Sequence, residues 1–309
     1  MPRPVLACWG LLVGAVAAWG VYELLDLGGA DELFQLWNDD LVLWGAAAIC
    51  LGGAFSERRG RTAWILIAAG LASWALGDTI WSFRFQGGVD PPFTSVSDAF
   101  WLAWYPLVIV GVTLLVRDRV PEFELHRWID GIVVMLIVAT PWVALFFDPI
   151  AERSAASTTA DVIEFAYVLG DAIIVGAVVG VYALMAWRPG LMWMMLAGGL
   201  ALLAITDAVF SVRVLAHTYD IGGGFNVLAA FAALLIAAAA WETHPGRLEP
   251  RSVYGWRAIA LPLAAQALAV SIQIYAYFYE IPPSERLLTI VVLLIAMIQI
   301  VTARPRAPG

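Results

Sequence analysis

The chain has 309 residues, of which 62% are apolar and 14% charged, with a mean hydropathy of +0.83 and a net charge of −8. Soluble domains are about half apolar and about a quarter charged, so an ordinary soluble protein is excluded. The acidic balance excludes a nucleic-acid partner, which needs a basic surface.

All 17 Lys and Arg positions are arginine. Without lysine the chain holds no retinal Schiff base, no PLP aldimine and no Walker-type phosphate lysine. His126, His217 and His244 fall in loops, which argues against a bis-histidine haem and an intramembrane H-E-x-x-H zinc site. Cys8 and Cys50 sit in apolar runs and read as small core residues. No metal and no cofactor is expected.

With one helical span per about 20 apolar residues, the length admits roughly ten spans. Apolar runs bounded by charges, Gly and Pro place them near 5–22, 41–55, 62–83, 98–116, 128–147, 161–186, 190–212, 224–241, 255–278 and 286–303. The second is short and can extend into Asp39 and Asp40. The first follows Arg3 and reads as a retained span rather than a cleaved leader, because no A-x-A-like site precedes a soluble domain. Val5 to Cys8 resembles a lipidation box but comes too early to follow a targeting segment. Pro106, Pro141 and Pro262 lie within spans, where they kink a helix or free a carbonyl. The fold class is therefore all-α: a polytopic membrane protein of about ten helices in contact with the lipid bilayer.

Arginine placement gives the orientation. With the N-terminus cytoplasmic, 13 arginines fall in inner segments and 4 (Arg84, Arg153, Arg213 and Arg286) in outer ones. An even number of spans returns the C-terminus to the cytoplasm. The first outer loop instead carries Glu23, Asp26, Asp31, Glu32, Asp39 and Asp40 without an arginine. It reads as a solvated acidic loop, since its carboxylates lack ion-loop spacing. Its Gly28-Gly29-Ala30-Asp31-Glu32-Leu33-Phe34 resembles a GGDEF signature only superficially, with an inserted alanine and no strand–turn–strand context.

An internal repeat organises the chain. Residues 63–84 (AWILIAAGLASWALGDTIWSFR) and 192–213 (MWMMLAGGLALLAITDAVFSVR) are identical at nine of 22 positions without a gap. The informative matches are Trp64/Trp193, Gly70/Gly199, Asp78/Asp207, Ser82/Ser211 and Arg84/Arg213. The offset spans four helices, so the copies run the same way through the membrane and are not inverted. Two parallel four-helix units are expected, about 41–147 and 161–278, with terminal helices 5–22 and 286–303.

Carboxylates inside a bilayer cost on the order of 2.5–3.5 kcal/mol each and need a reason to be there. Asp78 and Asp207 lie in the outer third of their spans, each followed four residues later by a serine, Ser82 or Ser211, on the same face. Asp98 starts the fourth span, and Glu164 and Asp171 lie in the sixth. Trp74, Trp81, Trp101, Trp104, Tyr105 and Tyr167 cluster around them. One reading is an outward-facing cavity for a cationic or hydrogen-bonding small molecule, with Asp78, Ser82, Asp98, Trp101, Tyr105, Glu164, Tyr167, Asp171, Asp207 and Ser211 as its lining. The other gives the aspartates to helix–helix contacts or to Arg84 and Arg213, and the tryptophans to an interfacial belt.

Four segments together resemble the N-terminal multi-pass sensor region of bacterial GGDEF/EAL cyclic di-GMP signalling proteins. They are Gly77-Asp78-Thr79-Ile80-Trp81, the run S-x-x-D-x-x-x-L-x-x-Y-P-L from Ser95 to Leu107, Ala166 to Asp171, and Trp187 to Gly190. The likeness covers about 60–241, with Tyr167-Val168-Leu169 departing from the Tyr-Pro-Leu expected in the second half. The resemblance implies a membrane sensor followed by a cytoplasmic output part. No GGDEF, EAL, PAS or kinase segment occurs up to Gly309, so the expectation is a stand-alone relative acting through a partner, or an output region that is missing from this chain.

The expected function is a membrane-embedded signal-input module in a bacterial plasma (inner) membrane, with both termini cytoplasmic. A small ligand from the outer side and a cytoplasmic signalling partner or homodimer are its expected partners, with the basic loops 57–61 and 117–127 as docking surface. The alternative is a small-molecule or proton-coupled transporter. An enzyme is not expected, because no Ser/His, Cys/His or metal constellation is present, and His217 with Asp220 is too thin a basis.

Overall fold

The computed structural model describes residues 1–28, 32–56, 60–85, 95–119, 158–184, 190–215 and 224–242. Among them are seven α-helices and no strand: α1 (Arg3–Leu24), α2 (Asn38–Ser56), α3 (Arg61–Phe85), α4 (Val96–Arg119), α5 (Thr158–Leu184), α6 (Leu191–Leu215) and α7 (Gly224–Ala239). A π-helical turn, Glu32–Trp37, leads into α2. Each helix falls on an apolar run read from the sequence, with ends shifted by a few residues. The spans expected at 128–147, 255–278 and 286–303 lie outside the described residues.

Five helices (α1, α2, α3, α4 and α6) are long and apolar enough to cross a membrane. The apolar stretches of α5 (Ala166–Val179) and α7 (Phe225–Ala239) are shorter. The helices are apolar on every side. Leu11, Leu24, Phe55, Phe83 and Met194 face outward as freely as Leu43, Ile67, Leu71 and Leu196 face inward. This pattern is compatible with helices that face lipid on the outside and neighbouring helices on the inside.

The helices close into a ring. α2 packs on α3, α3 on α4, α4 on α5, α5 on α6, α6 on α7, and α7 returns to α2, while α1 lies against α2 and α7. Side-chain contacts fix the directions. α2 and α3 are antiparallel, with Asp40 near Thr79 at one end and Cys50 against the Trp64 carbonyl towards the other. α3 and α4 are antiparallel, through Gly77 on Ser97 and Trp101, Gly70 on Trp104 and Val108, and Gly111 on Ile67. α4 and α5 run parallel, because Asp98 meets Tyr167 and Tyr105 meets Asp171.

Small residues let these helices approach closely, as lipid-embedded helices require. A Cβ on Gly53 would lie 2.7 Å from the Cβ of Ala240 and 2.8 Å from its carbonyl oxygen. The α7 face there is built from Ala230, Ala233 and Ala237 and continues into Ala240 just past the helix, all buried. A Cβ on Gly70 would meet Val108 at 3.0 Å and Trp104 at 3.1 Å; one on Gly199 would meet Ile236 at 2.6 Å and the Ala232 carbonyl at 2.8 Å. Indoles tie the ring at its seams: Trp241 donates to the Ile49 carbonyl at 2.8 Å, and Trp9 of α1 to the Leu234 carbonyl at 3.1 Å. Gly60 precedes α3 with φ of +75°, a conformation that favours glycine.

The two ends of the ring differ in charge. Arg3, Arg61, Arg117 and Arg119 lie where α1 and α3 begin and α4 ends. Asp39, Asp40, Asp78, Asp98, Asp171 and Asp207 lie towards the opposite end, where α2 and α4 begin and α3 ends.

Candidate functional site

At the acidic end, α4 opens with a capping box. Asp98 Oδ2 accepts the Ser95 backbone N–H at 2.7 Å, and Ser95 Oγ accepts that of Ser97 at 3.2 Å. The S-x-x-D of the sequence is thus first a helix start. Asp98 Oδ1 accepts the Tyr167 hydroxyl of α5 at 2.8 Å, so both carboxyl oxygens are occupied.

Seven residues on, Tyr105 donates to Asp171 Oδ1 of α5 at 2.9 Å. The two tyrosine rings meet edge to face, with centroids 6.2 Å apart. Asp171 is 5% exposed, and its carboxyl comes within hydrogen-bonding reach of Asp207 on α6. Gly170, beside Asp171, packs directly on the Tyr105 ring.

Asp78 of α3 accepts the Trp101 indole N–H of α4 at 2.8 Å. Trp101 can lie there because residue 77 is glycine: a Cβ would stand 2.6 Å from the indole Cδ1 and Nε1. Trp81 stacks obliquely on Trp101 at 5.5 Å, and Trp74 on Trp104 at 5.8 Å. Asp39, Asp40 and Asp207 all lie within electrostatic reach of Asp78.

The α2 side was not assigned to the site from sequence. Asp40 is 6% exposed and accepts from Thr79 Oγ1 at 3.3 Å through Oδ1; the Ser82 hydroxyl also approaches its carboxyl. Thr79 in turn accepts the Trp44 indole N–H at 3.0 Å. Asp40 Oδ2 and Asp39 Oδ1 are buried with no hydrogen-bond partner, as are Asn38 Nδ2 and Ser97 Oγ. In the structure Asp40 continues the buried line Leu43, Ala47, Cys50, Ala54 at helical spacing.

The structure therefore brings together Asp78, Trp101, Tyr105, Tyr167, Asp171 and Asp207, with Asp98 at the edge. Ser82 is buried near the Asp40 carboxyl. The side chains of Glu164 and Ser211, and that of Arg213, lie outside the described residues. Arg84 is exposed at the end of α3. Among the described residues, the hydrogen-bond partners of Asp40, Asp78, Asp98 and Asp171 are hydroxyls, an indole, a backbone amide and another carboxyl, not guanidinium groups. Also among them, no three His, Cys, Asp or Glu side chains are placed to hold a metal ion.

Chemically, the arrangement offers a row of carboxylates walled by indoles and phenols, suited to cations and hydrogen-bond donors rather than to anions. Compared with protein-family models, curated proteins and solved structures, the chain matches none.

Proposed function

We propose that this protein is a membrane-embedded signal-input module whose carboxylate–aromatic cluster receives a small ligand and passes its occupancy to a cytoplasmic partner. The observation that carries the reading is that α2, α3, α4, α5 and α6 all contribute to one cluster, at the end of the ring opposite Arg3, Arg61, Arg117 and Arg119. Arginine-rich ends stay cytoplasmic, so the cluster faces outward in a bacterial inner membrane. A ligand that bridges Asp78 and Asp207 shifts α3 and α4 against α5 and α6, and the shift reaches the arginine end through rigid helices.

The same geometry supports the two parallel units. α2–α4 and α5–α7 close the ring in the same order, and Gly70 on Val108 has its counterpart in Gly199 on Ile236. The parallel run of α4 and α5 supports a further crossing by 128–147 between them, as part of a ten-span plan with both termini cytoplasmic. An output of the cyclic di-GMP type rests on the sequence resemblance alone.

A proton-coupled transporter is the second reading, favoured by the approach of the Asp171 and Asp207 carboxyls inside the ring. Reconstitution in liposomes separates the two. A ligand that binds but is not accumulated supports the input module. Accumulation driven by a pH gradient and lost in Asp171→Asn supports the transporter.

A further inference from the structure

We propose that the Asp40–Asp78 side of the cluster is a binding site for a small organic ammonium ion. The proposal rests on the input reading and names the class of molecule that enters.

Asp40 is 6% exposed, and Thr79, the neighbour of Asp78, holds its Oδ1. Its Oδ2 is buried without a partner, as is Oδ1 of the adjacent Asp39. A buried carboxylate oxygen normally has its hydrogen bonds supplied, and an unsupplied one marks the place of a donor. A second unpartnered group lies on α4, beside the neighbour of Asp78. Ser97 is fully buried on α4, its backbone lies against Gly77, and its Oγ has no partner. Ser97 precedes Trp101 by one helical turn, so it shares the face that reaches Asp78.

The missing partner is a cationic donor. Asp39, Asp40 and Asp207 act together on Asp78, and a positive charge among them relieves their mutual repulsion. The carboxylates are spaced rather than convergent: no metal-holding triad forms among the described residues. Spaced acceptors match an ammonium head, whose several N–H groups diverge towards different oxygens. The Trp101 ring stands against Asp78, with Trp81 packed on it at 5.5 Å, and this aromatic wall suits the alkyl part and the charge of such an ion.

The test is titration calorimetry on the full chain in lipid nanodiscs, with n-butylammonium, n-butanol, sodium chloride and magnesium chloride as probes. The expected result is saturable binding of n-butylammonium and none of n-butanol. Asp40→Asn weakens that binding by about tenfold or more, as loss of a charged hydrogen bond does. Gly198→Ala, whose added Cβ meets nothing within 4 Å, leaves it unchanged. Equal binding of butanol, or unchanged affinity in Asp40→Asn, overturns the proposal, and so does binding of magnesium or sodium in place of the amine. If Asp40→Asn does not fold, the comparison of amine with alcohol on the unmodified chain decides. A neutral ligand whose binding is lost in Asp207→Asn, with no amine binding, overturns the ammonium site and leaves the input reading standing. Absence of any ligand overturns both.

Discussion

Tyr105 of α4 donates to Asp171 of α5 at 2.9 Å, and four residues before Asp171 the bond is returned, Tyr167 donating to Asp98 at 2.8 Å. The reciprocal pair clasps two parallel helices that no short loop joins. Interhelical hydrogen bonds in membranes contribute about 0.6 kcal/mol on average and up to about 1.7 kcal/mol. Tyr105→Phe removes the donor to a carboxyl that is 5% exposed and is expected at the upper end, with Tyr167→Phe below it. Unfolding in mixed micelles checks this; an unchanged Tyr105→Phe would remove the clasp from the account.

Two adjacent glycines of α6 make a paired prediction. A Cβ on Gly198 meets nothing within 4 Å, whereas one on Gly199 meets the Ala232 carbonyl at 2.8 Å. Gly198→Ala is expected to be neutral or to stabilise by up to about 1 kcal/mol, since alanine is the better helix former. Gly199→Ala is expected to destabilise, because the Ala232 backbone cannot turn aside as a side chain would. Thermal melts of the two variants should move in opposite directions or differ by several degrees; equal melts would contradict the α6–α7 packing.

Gly77→Ala tests the site without touching a carboxylate. The new Cβ collides with the Trp101 indole, so the bond to Asp78 is lost. The expected outcome is a changed tryptophan emission maximum together with weakened ligand binding. Weakened binding with unchanged emission would mean that Trp101 does not stand against Asp78.

Orientation is checked by single cysteines in a Cys8→Ser background, Cys50 being buried. Val96→Cys, at the exposed start of α4, is expected to react with a membrane-impermeant maleimide from outside intact cells. Ser56→Cys, at the end of α2, is expected to react only after lysis. The reverse pattern would place the acidic end in the cytoplasm.

The helices were legible because charges, Gly and Pro bound each apolar run. So was the gathering of Asp78, Trp101, Tyr105 and Asp171, because all fall at corresponding depths of their spans. The pairings were not. Tyr105 and Asp171 are 66 residues apart, and nothing local tells Asp78 to take an indole rather than Arg84. Asp40 was read as part of a solvated loop because α2 is apolar all round, so no stripe marked its inner face. Ser82 was read as sharing a face with Asp78 from i, i+4 spacing, and it also lies near Asp40 of α2.

The central claim is that the cluster binds a ligand rather than only joining helices. Its most direct test is a thermal-shift panel of small amines, amino acids, sugars and metal ions on the protein in nanodiscs, with Asp78→Asn, Asp171→Asn and Asp207→Asn alongside. A ligand at 100 times its dissociation constant adds about 2.7 kcal/mol of stability. The account predicts a hit on the unmodified protein that is lost in Asp78→Asn while that variant still melts cooperatively. No hit, with all three variants destabilised before any ligand is added, would contradict it and return the carboxylates to helix packing.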